Sequence, residues 1–255
     1  MPTTKSFDDA KISYSKDGEK GSNIILIHGW SCDSTYWRKT TPSLKGNHRV
    51  YTIDLAGHGN SGKNRSKCTM DAYGEDVKAI MDKEKLADAI LIGHSMGGDV
   101  ALAAAQILGD RVKGVILVDT YHRITLRSEP RIQEMLIPFR ENFREATKPF
   151  VYGMFTKDAD PELVESIALD MSDQDPSIGY PSLDYCIRYD EAAAFDRIKI
   201  PIRCINCDTS PSDFASAKKH SQDFEGVVMP GVGHFLMLEK PEEFNLLLRK
   251  IIDEL

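Results

Sequence analysis

Short apolar segments recur along this chain and restrict its possible folds more than any other feature. Six have the length of a β-strand and end in glycine or polar residues: "NIILIHGW", "RVYTIDLAGHG", "AILIGHSMGG", "VKGVILVDT", "IPIRCINCD" and "GVVMPGVGHF". Near-continuous apolar runs are typical of strands that are buried on both faces. Because amphipathic stretches lie between several of them, the pattern predicts an α/β protein with a doubly wound, mostly parallel sheet and helices on both faces.

One long interval contains no apolar run of this kind. From about Tyr121 to Arg197 the sequence offers amphipathic, helix-like pieces separated by prolines, among them "EPRIQEMLIPFRENFREA" and "PELVESIALDMS". An insertion here would lie above the carboxyl ends of the strands, where open α/β sheets bind ligands. We therefore predict a core domain of residues 1–120 and 198–255 and a helical cap of residues 121–197.

Length, charge and cysteine content narrow the class of protein. A chain of 255 residues can bury one large core, and 41% hydrophobic with 28% charged residues is typical of a soluble globular protein. With 32 basic and 39 acidic residues, the chain has no basic excess to bind nucleic acid or an anionic membrane. The N-terminus lacks the apolar region of a secretory signal, and the five cysteines are an odd number, so we expect reduced thiols and a cytoplasmic protein.

Two cysteines have the spacing of a metal or redox motif. Cys204 and Cys207 stand in "CINC", but no second pair or suitably spaced histidines follow to complete a zinc site. A redox motif would open a helix, whereas this one lies in a strand-like run. We interpret both as structural thiols and expect no metal and no cofactor.

A single serine stands at an abrupt corner in the stretch "AILIGHSMGGDVALA". The residues before Ser95 are typical of a strand, and those after it favour a helix. So sharp a turn needs small residues two positions before and after the corner, and Gly93 and Gly97 supply them. The G-x-S-x-G pattern predicts a strained turn that exposes a nucleophilic hydroxyl, although an ordinary glycine-rich turn would use similar residues.

A serine nucleophile needs a general base at neutral pH. Among seven histidines, His234 precedes the last helix in a loop that can hang over the carboxyl edge of the sheet, and it takes the last place in a nucleophile–acid–histidine order. We expect His94 to point away from Ser95 because the two are adjacent. We expect His58 to belong to a glycine turn in which Asp54 caps backbone amides.

The reaction also needs two N–H groups for the oxyanion. The backbone N–H of Met96, the residue after Ser95, can supply one. The turn that follows "IILIHGW" can supply the other, from about Trp30. His28 and Gly29 would then shape this turn without taking part in the chemistry.

Four motifs in this order and spacing resemble the α/β-hydrolase superfamily: "HGW", "DLAGHGNSG", "GHSMGG" and "GVGHF". The resemblance is greatest to its branch of capped esterases, cofactor-free haloperoxidase-like enzymes and C–C hydrolases, and it extends from about Ser22 to the C-terminus. It implies the α/β-hydrolase fold with the helical cap inserted after the sixth strand. It also implies Ser95 as nucleophile, His234 as base, and the amides of Trp30 and Met96 as the oxyanion hole.

The acid of the triad has two candidates. Members of the resembled family usually place it after the strand that follows the cap, where this sequence has Ser210, and Asp208 comes two residues early. Some instead place it at the end of the strand before the cap, where Asp119 stands in "GVILVDTYH". Asp119 has the better register and is preferred, but each aspartate is also of a kind that caps loops or forms turns.

These residues predict a serine hydrolase that cleaves a carboxylic ester, or a related acyl bond, of a small, partly apolar molecule through an acyl-enzyme. The expected partner is that small-molecule substrate, with no nucleic acid and no membrane, and the sequence leaves the oligomeric state open. One alternative is hydrolysis of a C–C bond in a β-diketone-like acid, which would need a cap arginine for the carboxylate. For that carboxylate the candidate cap arginines are Arg123, Arg127, Arg131, Arg140, Arg144 and Arg188. The other alternative is a ligand-binding or sensor protein with slow turnover.

The apolar residues of the cap have two possible roles. They would either line a substrate pocket or form the cap's own core, since helices bury one face in any case. They are Leu136, Phe139, Phe143, Phe150, Tyr152, Met154 and Phe155.

Overall fold

The computed structural model describes residues 1–122 and 129–255, and within these ranges eight strands form one sheet in the order β1-β2-β4-β3-β5-β6-β7-β8. β2 pairs antiparallel with β1 and β4, and the other neighbours pair in parallel. The strands are β1 Thr3–Lys5, β2 Lys11–Asp17, β3 Asn23–Ile27, β4 Arg49–Asp54, β5 Ala89–His94, β6 Val112–Val118, β7 Ile202–Cys207 and β8 Phe224–Met229. The predicted fold class, a mostly parallel α/β sheet, is confirmed.

All six apolar runs of the sequence form strands, and every residue of β5 is buried. This burial follows from helices on both faces of the sheet and explains why the runs do not alternate with polar residues. The sequence pattern missed β1 and β2. They lie at one edge of the sheet. The sequence of β2, "KISYSKD", has too few apolar residues to indicate a buried strand.

Helices follow most strands, as the sequence pattern predicted. The helices of the described residues are α1 Thr41–Leu44, α2 Met70–Lys83, α3 Met96–Leu108, α4 Glu129–Glu141, α5 Phe143–Tyr152, α6 Pro161–Ser172, α7 Pro176–Ile187, α8 Glu191–Arg197, α9 Phe214–His220, α10 Leu236–Glu239 and α11 Pro241–Glu254. α3 packs against β3, β5, β6 and α2, and its alanines and Gly97 allow this close approach. None of the described helices is long and apolar enough to cross a bilayer.

The interval between β6 and β7 is helical in its described part, as predicted for the cap. It contains α4 to α8, with α4 packed against α5 and α7, and α5 against α6. α8 contacts both α3 and α9, and in this way it links the inserted helices α4 to α8 to the rest of the protein. The domain boundaries after residue 120 and after residue 197 stay predictions. Arg123 and Arg127, two of the candidate arginines, lie outside the described residues.

All five cysteines are free thiols. Cys204 and Cys207 are buried and lie on strand β7, so they do not stand at the start of a helix, where a redox motif would place them.

A buried carboxyl links the helix after Ser95 to the cap helices. Asp99 lies in the first turn of α3 and is 5% exposed. Its Oδ2 accepts a hydrogen bond from the thiol of Cys186 on α7, at 3.4 Å. Burial raises the pKa of Asp99 from 3.8 to about 7, although hydrogen bonds with Cys186 and Glu191 oppose this rise.

This raised pKa gives a pH-dependent stability. Because the unfolded carboxyl titrates near pH 4, the native protein holds its proton more tightly, and stability from this group is lost as the pH rises from about 4 to about 7. Asp99→Asn cannot ionise, so we expect it to gain about 1–3 kcal/mol in free energy of unfolding at pH 8 and little at pH 4. Urea denaturation at several pH values measures this. Asp110→Asn, at an exposed site just beyond the same helix, is the control, and a gain that does not depend on pH would contradict the interpretation.

Candidate active site

The corner at Ser95 has the strained backbone that its sequence predicts. Ser95 has φ 53° and ψ −126°, a conformation that costs a non-glycine residue about 1–3 kcal/mol. A Cβ added to Gly93 would lie 2.0 Å from the carbonyl oxygen of Gly97, and one added to Gly97 would lie 2.4 Å from that of His28. Ser95 N–H donates to the Val118 carbonyl at 2.9 Å. Backbone crowding and hydrogen bonding therefore fix the serine above the sheet edge.

His234 is held in the loop between β8 and α10. Its backbone N–H donates to the Met154 carbonyl at 2.8 Å, and its ring Nδ1 is 2.6 Å from Asp119 Oδ2. The Glu239 carboxylate accepts hydrogen bonds from the N–H groups of Gly233 and Phe235, on either side of His234, at 2.9 and 3.0 Å. The imidazole is therefore oriented by its own loop as well as by the carboxylate.

Asp119 is the aspartate that the structure brings to His234. It follows β6 with φ 49°, and its N–H donates to the Ile205 carbonyl at 2.8 Å. Its Oδ1 accepts a hydrogen bond from the Cys207 N–H at 2.7 Å and lies 3.3 Å from His122 Nε2. Burial would raise the pKa of this carboxyl, but the hydrogen bonds and charges of His122 and His234 hold it well below its usual range. Asp119 is therefore ionised at neutral pH.

Asp208, the other candidate acid, forms no hydrogen bond or ion pair with His234, although both lie within the described residues. Its side chain is exposed, and its Oδ2 accepts a hydrogen bond from the Gly231 N–H at 3.0 Å. It thus joins the loop after β7 to the loop after β8. The sequence interpretation missed His122, the second imidazole beside Asp119, because nothing in "TYHR" links that histidine to a strand-end carboxylate.

The two predicted oxyanion donors belong to segments that meet at Ser95. Met96 is the first residue of α3, and the first amides of a helix have no partner within it. Trp30 lies in the turn after β3, where a Cβ added to Gly29 would be 3.2 Å from Ser95 Cβ. The Trp30 indole N–H donates to the Gly179 carbonyl on α7 at 2.7 Å, which fixes the turn against the cap helices.

Ser95 and His234 line one small cavity, in which the space that a solvent molecule can occupy is about 10 Å³. Besides these two, its lining residues are Gly29, Trp30, Cys32, His94, Met154, Met171 and Phe235. Of the apolar cap residues named from the sequence, Met154 is part of this wall. Three others, Phe139, Phe143 and Phe150, pack edge-on around the Trp30 indole.

The expectation that His94 points away from the site is wrong. His94 is one of the residues that line the cavity, and the centroid of its ring lies 4.6 Å from that of the His234 ring. Its Nε2–H donates to the His234 carbonyl at 2.8 Å, and burial lowers the pKa of His94 to about 3. His94 therefore stays neutral and supports the His234 loop.

The turn that contains His58 is capped by Asp54, as the sequence predicted. Asp54 accepts hydrogen bonds from backbone N–H groups at 2.8 and 2.9 Å.

The Asp119, His122 and Cys207 side chains form the one group in the described part of the chain whose donor atoms could hold a metal ion. It lies beside the candidate triad and was not expected from the cysteine spacing.

Comparison with known proteins identifies the family. The sequence model of the Alpha/beta hydrolase family matches residues 24–245. Among solved structures, an esterase from Exiguobacterium antarcticum has a TM-score of 0.87 at 18% identity, covering 98% of each chain. The chain belongs to the alpha/beta hydrolase family.

Two curated relatives illustrate the range of sequence similarity. The chain is 26% identical over 244 residues to the pimeloyl-(acyl-carrier protein) methyl ester esterase of Neisseria meningitidis, which covers 90% of this chain and 93% of that protein. It is 34% identical over 147 residues to the dihydrolipoyllysine-residue acetyltransferase component of the acetoin cleaving system of Pseudomonas putida. That match covers 58% of this chain, and the chain spans only 38% of that protein's length.

The glycines of the corner give a direct test of the crowding. Because a Cβ at Gly93 would lie 2.0 Å from a backbone oxygen, Gly93→Ala should lower the free energy of unfolding by about 2–4 kcal/mol. Gly46→Ala is the matched control, since a Cβ there has no described atom within 4 Å and should change stability by less than about 0.5 kcal/mol. Urea denaturation monitored by tryptophan fluorescence compares the two. Equal stability of both variants would contradict a sterically fixed corner.

Proposed function

We propose that this protein is a serine hydrolase that cleaves a carboxylic ester, or a related acyl bond, of a small, partly apolar molecule. The observation on which this rests is the arrangement of His234, whose Nδ1 is 2.6 Å from the ionised Asp119 while its ring lines the same cavity as Ser95. An esterase of Neisseria meningitidis that matches over nearly the whole chain supports ester chemistry.

The proposed reaction follows the roles of a serine triad. With Nδ1–H donated to Asp119, the neutral imidazole of His234 keeps its Nε2 free to accept a proton. Ser95 Oγ loses its proton to that nitrogen and attacks the ester carbonyl, and the alcohol leaves with the proton. Water, deprotonated by His234, then cleaves the acyl-enzyme. The Met96 and Trp30 amides would stabilise the oxyanion at both steps.

The buried carboxylate of Asp119 supports the catalytic role of His234. Asp119 is ionised, and its charge favours the imidazolium that forms in each transition state. The backbone bonds around His234 hold the ring against rotation, so little reorganisation is needed when the substrate binds.

The cavity supports a small substrate with an apolar part. The space in it that a solvent molecule can occupy, about 10 Å³, holds about one water molecule and is far below the ~300–1,000 Å³ of pockets for drug-sized ligands. Trp30, Met154, Met171 and Phe235 give it an apolar wall. We therefore expect short acyl esters to react faster than long ones.

C–C bond hydrolysis is not favoured by the described residues. Its substrate carboxylate would need a cationic partner, and no arginine within residues 1–122 and 129–255 lines the cavity. Arg188, one of the candidates, instead forms ion pairs with Glu129 and Asp184 on α4 and α7.

A mechanism-based probe tests the nucleophile. A fluorophosphonate should add once to the wild type, as read by intact mass, and should not add to Ser95→Ala. Ser43→Ala removes a hydroxyl that donates to the Thr40 carbonyl outside the cavity, and it should label like the wild type. A folded wild type that takes up no label would exclude the serine mechanism and favour a binding or sensor role.

The acid is tested by two matched substitutions. Asp119→Asn should lower kcat on p-nitrophenyl acetate by about 10⁴-fold, because the amide cannot hold His234 in the productive tautomer. Asp208→Asn removes a charge whose carboxylate accepts from the Gly231 N–H, a bond that the amide oxygen can still accept, so it should change kcat by less than about threefold. Far-UV circular dichroism verifies that both variants fold. A larger loss in Asp208→Asn would reverse the assignment of the acid.

A further inference from the structure

A thiol and a second imidazole surround the carboxylate of Asp119. Asp119 follows β6, His122 comes three residues later, and Cys207 ends β7, the neighbouring strand. One nitrogen of His122, the Cys207 sulfur and a carboxylate oxygen of Asp119 all lie within 4.8 Å of one another. Neither the His122 imidazole nor the Cys207 thiol transfers a proton or contacts the substrate in the proposed hydrolysis.

The spacing of these atoms suits a tetrahedral zinc ion. Donors that bind Zn²⁺ at about 2.0–2.3 Å in a tetrahedron lie about 3.3–3.6 Å apart. His122 Nε2 is 3.3 Å from Asp119 Oδ1, and Cys207 Sγ is 3.5 Å from Asp119 Oδ2. An imidazole, a thiolate and a carboxylate are also ligands that zinc prefers. One oxygen of Asp119, the His122 nitrogen and the Cys207 sulfur also lie within 4.8 Å of one another, so all three donors can face a single ion.

An ion can reach this group from solvent. The side chain of His122 is 24% exposed, whereas that of Asp119 is 3% exposed and Cys207 is buried. Thr209, whose hydroxyl oxygen is 2.8 Å from Cys207 Sγ, lies at the start of the exposed loop after β7. The fourth position of the ion would be open to water from this side.

We propose that Asp119, His122 and Cys207 form an inhibitory site for Zn²⁺ or a similar thiophilic divalent cation. Binding replaces the thiol proton of Cys207, which leaves to solvent, by a metal–sulfur bond. The ion brings two positive charges and one proton departs, so the net charge beside Asp119 rises by one.

The consequence for activity rests on the proposed function. The catalytic step needs Asp119 to stabilise the imidazolium of His234, and an added positive charge at the same carboxylate opposes that imidazolium. Zinc would therefore slow hydrolysis without contacting Ser95. We expect saturating Zn²⁺ to lower kcat by more than about tenfold.

Metal binding is tested first, without reference to catalysis. Cd²⁺ is the probe, because its bond to a thiolate gives an ultraviolet charge-transfer band. We expect one Cd²⁺ per chain with this band, in the wild type and equally in Ser95→Ala. Cys207→Ser should abolish the band, and His122→Gln should weaken binding by more than about 100-fold. Absence of the band in the folded wild type, or its persistence in Cys207→Ser, would overturn the site.

Two substitutions control for other thiols and imidazoles. Cys186→Ser removes a partly buried thiol beside Asp99, and His220→Gln removes an imidazole 3.0 Å from Asp196. Both variants should bind Cd²⁺ like the wild type. If either loses the band as Cys207→Ser does, the ion is bound elsewhere and the proposal fails.

Inhibition is then measured on p-nitrophenyl acetate, with each variant compared with its own metal-free rate. Zn²⁺ should slow the wild type and EDTA should restore it, while Cys207→Ser should be insensitive. An enzyme that binds Cd²⁺ at Cys207 but is not slowed by Zn²⁺ would overturn the inhibitory role. A protein that binds Cd²⁺ but hydrolyses no ester and takes no fluorophosphonate would instead overturn the proposed function and leave the metal site standing.

Discussion

Backbone crowding at the corner between β5 and α3 is the constraint on which the site depends. The carbonyl oxygens of Gly97 and His28 and the hydroxyl of Thr120 lie where Cβ atoms would stand at Gly93, Gly97 and Gly98. The corner therefore cannot move without also moving the turn after β3 and the loop after β6. Since the strain at Ser95 is held by this packing, the backbone that carries the hydroxyl is fixed without a ligand.

The order of the strands explains how distant residues meet. β6, β7 and β8 are consecutive neighbours in a parallel sheet, so the segments after all three emerge at the same edge. This places Asp119 after β6, Cys207 at the end of β7 and His234 after β8 in one cluster. The carboxylate is used from two sides, by His234 at one oxygen and by the Cys207 amide and His122 at the other. Catalysis and metal binding would then compete for one negative charge.

The cap helices act on the site mainly through main-chain contacts. The carbonyl of Met154 accepts from the His234 amide, and that of Gly179 accepts from the Trp30 indole. The cap therefore positions His234 and the turn that carries Trp30, and through Met154 and Met171 it also lines the cavity. Most of the aromatic cap residues named from the sequence surround Trp30, so they fix this turn more than they line the void.

Local sequence was enough to predict the buried strands, the corner at Ser95 and the helical insertion, because these depend on the periodicity and size of neighbouring residues. It could not identify β1 and β2, which are short and mostly polar. These strands are held by hydrogen bonds to neighbouring strands of the sheet, β2 to β4 among them. It left Asp119 and Asp208 as alternatives, misjudged the ring of His94 and missed His122. Only the tertiary structure shows which of these side chains meet, because that depends on which loop ends come together at the sheet edge and on burial and hydrogen bonds between residues far apart in sequence.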